Sequence, residues 1–89
     1  MNIIIMKMVS GEDVVAELMT ESDTHLYVSK AKTLRITEDM QGQWIPYFMM
    51  SPNGMNRQIN KSFVVSWFEA DDDIAKHYLE SVTRIQLLG

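Results

Sequence analysis

Val14-Val15-Ala16-Glu17-Leu18-Met19-Thr20, then Glu21-Ser22-Asp23-Thr24, then His25-Leu26-Tyr27-Val28-Ser29-Lys30, reads as strand, turn, strand. Val14, Ala16 and Leu18 fall on one side of the first run, and Val15, Glu17 and Met19 on the other. In the second run Leu26 and Val28 oppose His25, Tyr27 and Ser29. An extended chain imposes this period of two, because successive side chains leave opposite faces. The residues between the runs bond their own backbone or tolerate positive φ, as a turn requires.

The pattern extends in both directions. Ile3 to Val9 is an apolar run ending at the turn cluster Ser10-Gly11-Glu12-Asp13. Thr33 to Thr37 sets Leu34 and Ile36 against Thr33, Arg35 and Thr37. Trp44 to Met50 and Phe63 to Phe68 are rich in aromatics, and turn signals stand at Glu38 to Gln43 and at Ser51-Pro52-Asn53-Gly54. Pro46 donates no ladder hydrogen bond, so its strand belongs at an edge or a bulge. Short, evenly spaced strands predict an antiparallel meander. The expected fold is mainly β: a small, strongly bent, five-stranded antiparallel barrel over about residues 3–68, whose edges remain open to neighbouring subunits.

The last segment changes period. Counted from Ile74, the apolar residues Ala75, Tyr78, Leu79, Val82 and Ile85 form one helical stripe. Asp71, Asp72 and Asp73 supply a cap and favour the positive end of the helix dipole. A helix is predicted over about 72–87, its stripe packing on an open end of the barrel.

Eighty-nine residues make one domain, 1–89, with a modest core that subunit contacts would reinforce. A hydrophobic share of 46% excludes a disordered chain, and a net charge of −4 excludes a uniformly basic nucleic-acid coat. The absence of Cys excludes disulfides, thiolate metal sites and cysteine nucleophiles. Ile3 to Val9 is too short to span a membrane and has no leader or cleavage pattern around it, so a cytoplasmic protein without a membrane partner is expected. Asp73, His77 and Glu80 share one helix face at metal-ligand spacing, but that face lies opposite the apolar stripe and reads as solvated. Neither a paired-carboxylate site, an activated serine nor a Gly-rich phosphate loop occurs, so neither an enzyme nor a cofactor is expected.

The order of motifs resembles the Sm-like family. Gly11 followed by Val14, Ala16 and Leu18, and then Asp23-Thr24-His25-Leu26-Tyr27, is similar to the family's first motif. Asn60-Lys61-Ser62-Phe63-Val64-Val65 is similar to the second, with Lys61 in the basic position. Tyr27 stands where the family has Asn, Ala16 where it usually has Gly, and the spacing from Gly11 to Asp23 is one residue long. The usual Arg-Gly pair is absent, and the helix follows the strands instead of preceding them. This variant looks like the small Sm-like proteins of marine phages.

The resemblance implies a homo-oligomeric ring of about five to seven subunits, joined edge strand to edge strand. It implies single-stranded RNA or DNA as partner, and a role in nucleic-acid processing, stability or annealing. His25 would stack on a base, Tyr27 would add a second platform, and Asp23 would accept from a base edge. Lys61 would neutralise a phosphate, Asn60 would bond a base edge, and Arg57, read as lying in the preceding loop, would join them. Lys30, Lys32 and Arg35 form a second basic cluster along a strand. The bland readings are a capped turn, a solvated polar loop and a solvated face. A competing function is a protein–protein adaptor that binds no nucleic acid, which the acidic charge favours. The eight methionines suit either a subunit interface or one monomer's core.

Overall fold

The computed structural model describes residues 2–36, 38–39, 42–47 and 56–88, with side chains of the helix described as far as Val82. The strands are β1 (Ile3–Met8), β2 (Asp13–Glu21), β3 (His25–Ile36), β4 (Gly42–Pro46), β5 (Asn56–Asn60) and β6 (Val64–Glu69). A single 3-10 turn, Lys61–Phe63, joins β5 to β6, and the helix α1 (Asp72–Leu88) follows. All strand pairs are antiparallel, in the order β4-β3-β2-β1-β6, with β5 also on β3. The mainly β meander with a C-terminal helix is therefore present, built from six strands where five are expected from the pattern.

The difference in strand count has one cause. β3 is long, and the two runs predicted within it are continuous. Its C-terminal half pairs with β4 and its N-terminal half with β5, both on the side away from β2. Asn56 to Asn60 reads as a loop in the sequence because Ile59 is its only apolar residue. It is a strand because it completes the hydrogen bonds of β3. β4 ends at Pro46, where the missing N–H does no harm. Residues 48–50, at the end of the run that begins at Trp44, and the Ser51-Pro52-Asn53-Gly54 turn lie outside the described residues.

The sheet has three irregularities, two between β2 and β3 and one between β1 and β6 at Lys7/Met8. One extra residue lies on β3 between the Val15–Lys32 and Glu17–Ser29 pairs, and one on β2 between the Leu18–Val28 and Thr20–Tyr27 pairs. Lys30, in the first, has φ +55°. Bulges of this kind sharpen twist and curl a sheet. As a result Ile59, from one margin, and Val64 and Trp67, from the other, join the same core as Ile4, Met6, Met8, Val14, Ala16, Leu26 and Val28. Among the described residues the ladder does not close: β6 pairs only with β1, and β4 and β5 only with β3. At the β1–β2 hairpin, Gly11 takes φ +106°, a conformation that favours glycine.

Part of the outer face is covered by α1. Tyr78 and Val82, with Ala75 and Leu79 half-buried, pack on Ile3, Val15, Ile5 and Trp44. The expected stripe is thus real, but it lies on the second face of the sheet, where Ile3 and Val15 alternate with the core residues Ile4, Val14 and Ala16. Ile74 remains exposed, and the Ile85 side chain lies outside the described part. Asp71 is the cap: its carboxylate accepts from the Ile74 N–H at 2.9 Å. Tyr78 is 1% exposed, and its hydroxyl donates to the Lys30 carbonyl at 2.7 Å, next to the Ser29 carbonyl at 3.5 Å. The helix thereby gives a donor to carbonyl groups at the bulge.

Lys32 lies under the same helix. It is buried, and its ammonium reaches the Ser81 hydroxyl at 3.5 Å. Burial holds its pKa below the usual lysine value. A desolvated ammonium with no carboxylate partner among the described residues opposes folding, so Lys32→Met should raise stability by about 1–3 kcal/mol, read as a higher urea midpoint at pH 7. The sign with pH follows. Between its lowered folded pKa and its unfolded value, the unfolded chain holds the proton and the folded chain does not. The Lys32 penalty therefore fades as pH rises through that window and is full below it. The advantage of Lys32→Met should shrink at alkaline pH; a constant advantage would exclude desolvation as the cause.

Candidate nucleic-acid interface

The register of β3 against β5 assembles the candidate residues. His25 lies opposite Asn60, Leu26 opposite Ile59, Tyr27 opposite Gln58, and Val28 opposite Arg57. Directly opposed residues share a face. His25, Tyr27, Gln58 and Asn60 therefore occupy the outer face, and Leu26, Val28 and Ile59 turn into the core. Leu26 and Val28 are fully buried, which fixes the direction of their neighbours.

The rings of His25 and Tyr27 have centroids 6.3 Å apart at an interplanar angle of 39°. They form a half-buried ledge, within the range of aromatic contact but not a parallel sandwich. The turn leading to it is held by Ser22. The Ser22 hydroxyl accepts from the His25 N–H at 3.1 Å, and the Ser22 N–H donates to the His25 carbonyl at 2.9 Å. His25 Nδ1 pairs with the Thr24 hydroxyl at 2.8 Å.

At the other side of the ledge, the Asn60 carboxamide oxygen accepts from the Ser62 N–H at 2.9 Å and caps the 3-10 turn. The Lys61 N–H donates to the Thr24 carbonyl at 2.8 Å, which ties this turn to the β2–β3 turn. The Lys61 ammonium bonds the Glu21 carboxylate at 2.8 Å, both groups being partly exposed.

Three expectations change here. Arg57 does not lie in a loop and does not join the ledge: it is in β5, on the core side opposite Val28. Lys61 is beside the ledge, but already holds a carboxylate. The cluster of Lys30, Lys32 and Arg35 is not one surface, since Lys32 is buried under α1 and Arg35 leaves the opposite face of β3. Asp23 is exposed in the turn, and Ser22 performs the capping. Glu21 and Gln58 escape a reading of the sequence. Glu21 is separated from Lys61 by forty positions and carries no local signal. Gln58 is found only by reading Gln58-Ile59-Asn60 as alternation.

On α1, His77 has a different role from a metal ligand. Its Nδ1 accepts from the Trp44 indole N–H at 3.0 Å, with ring centroids 5.7 Å apart. No group of three His, Asp or Glu residues could hold a metal among the described residues, and no described helix is long and apolar enough to cross a membrane. The chain matches no protein-family model and no curated protein.

Proposed function

We propose that the chain is a non-enzymatic, ring-forming, Sm-like protein of the cytoplasm that binds single-stranded RNA or DNA, with a role in nucleic-acid processing or annealing. The observation that carries the reading is the ledge: two aromatic rings beside two exposed carboxamides, His25 and Tyr27 with Gln58 and Asn60, on one face of two paired strands. Rings stack on any base, and amides bond base edges. In motif order the chain resembles the marine-phage variant of the family.

The ring half of the proposal draws on the free margins. β6 exposes Val65 (66%) and Phe68 (55%), and Phe63 just before it is 58% exposed. Pairing β6 of one copy with the β4–β5 margin of the next would cover them and complete both ladders. The curl of the sheet, with both margins sharing a core, supports a barrel-like subunit. Repetition around a ring would multiply weak single contacts.

Charge sets the terms of binding. Beside the ledge, the Lys61 ammonium faces the Glu21 carboxylate, and Asp23 adds another. Stacking therefore carries most of the affinity, and the salt slope is shallow. His25→Ala should weaken binding of a labelled ten-nucleotide single strand about tenfold, the value of one lost base stack. Glu21→Gln should release Lys61 to phosphate, tighten binding about fivefold at low salt and steepen the salt dependence. Fluorescence polarisation measures both, and light scattering on the same samples reports the subunit number. A protein that binds no strand at low salt leaves the adaptor reading, which the exposed Val65 and Phe68 surface favours, in its place.

A further inference from the structure

The fold treats its lysines unequally. Lys7 and Lys61 are partly exposed, yet each holds a carboxylate, at 3.4 and 2.8 Å. Lys32 is only 6% exposed and has no carboxylate among the described residues. Its register partners are Val15 on β2 and Pro46 on β4, neither of which carries a charge. Its ammonium meets the Ser81 hydroxyl at 3.5 Å, a long contact for a hydrogen bond. That hydroxyl spends its own proton on the Tyr78 carbonyl at 2.7 Å. Burial, with no charged neighbour contributing, is what lowers the Lys32 pKa. Buried charges in folded proteins are paired, so this ammonium lacks a counter-charge.

We infer that the Lys32 ammonium and the Ser81 hydroxyl, at the seam between β3 and α1, form a binding site for a small monocarboxylate of about the size of acetate. Ser81 is half-buried, so the contact lies at the edge of the seam, where a small solute reaches it. One carboxylate oxygen accepts from the ammonium in place of the long contact. The Ser81 hydroxyl turns to donate to the other oxygen, and the Tyr78 carbonyl it leaves keeps its place in the helical ladder. A single cation is balanced by a single negative charge, whereas a dianion would leave one charge desolvated and unpaired. The site spans the sheet and the helix, so its ligand fastens α1 to β3.

The test is an NMR titration of the whole chain with sodium acetate at pH 7, against sodium chloride at equal ionic strength. The Lys32 and Ser81 amide signals should shift saturably with acetate, with a Kd of about 10 mM, and should not do so with chloride. Lys32→Met should abolish the saturable shift, and Ser81→Ala should weaken it about fivefold, the value of one hydrogen bond. Circular dichroism checks that both variants fold. Acetate should also raise the urea midpoint of wild type above its value in chloride, and leave Lys32→Met unchanged. No saturable shift in wild type, or the same shift in Lys32→Met, overturns the inference. Tighter binding of inorganic phosphate than of acetate overturns the choice of a monocarboxylate. None of these results bears on the ledge, which is tested by strand binding.

Discussion

Tyr78→Ala should cost about 3–5 kcal/mol of folding stability, the largest loss expected from a substitution in the helix. The ring is 1% exposed, packs with Ile3, Val15 and Val82, and meets Trp44 edge-on at 5.7 Å. Truncation leaves a cavity under α1 and strands the Lys30 carbonyl. For a domain of this size that is much of the total stability. Tyr78→Phe separates the two contributions: it keeps the ring, loses the hydroxyl, and should cost about 1–2 kcal/mol. Urea unfolding at pH 7 measures both.

The hydroxyl also makes a pH prediction. Burial, with Glu17 nearby, pushes Tyr78 well above the usual phenol range. Between the ordinary value near 10 and the raised folded value, the folded chain keeps a proton that the unfolded chain releases. Stability therefore falls as pH rises through that window. The loss should be visible above about pH 10 and absent from Tyr78→Phe. Identical alkaline profiles for wild type and Tyr78→Phe would show that the hydroxyl is not buried against the bend.

Leu26→Ala is the second large effect, at about 2–5 kcal/mol. Leu26 is fully buried between His25 and Tyr27, and opposite Ile59. It anchors the segment whose outward side chains make the ledge. The variant should therefore lose stability and also bind single strands less tightly under conditions where it remains folded. Unchanged binding by a destabilised but folded variant would separate the ledge from its anchor.

The outward and inward residues at the start of β3 are legible in the sequence because Leu26 and Val28 on one side, and His25 and Tyr27 on the other, alternate there without interruption, whereas the bulges that reset the pattern leave no such signal. α1 is legible for the same kind of reason, with Asp71 marking its start and Tyr78 and Val82 its buried face. The strand at Asn56–Asn60 is not: polar residues hold it, and only its partner β3 explains it. Nor can pattern alone tell that Lys32 is buried. An alternating strand covered on both faces reads like one covered on a single face until the helix is in place. The Lys61–Glu21 pair depends on two turns meeting in space. The candidate ledge is thus partly visible, its rings from motif spacing and its carboxamide row only from register. Of the described methionines, Met6 and Met8 belong to the core and Met19 is half exposed.

The bond from the Tyr78 hydroxyl to the Lys30 carbonyl joins positions forty-eight apart in the chain. On the ribosome, the kinked part of β3 emerges long before the residue that fastens it. Until α1 has left the exit tunnel, the nascent sheet carries unfastened carbonyl groups and a bare apolar face formed by Ile3 and Val15. Completion of this fold therefore waits for α1, and the chain before that point is the form most exposed to aggregation and to chaperone capture.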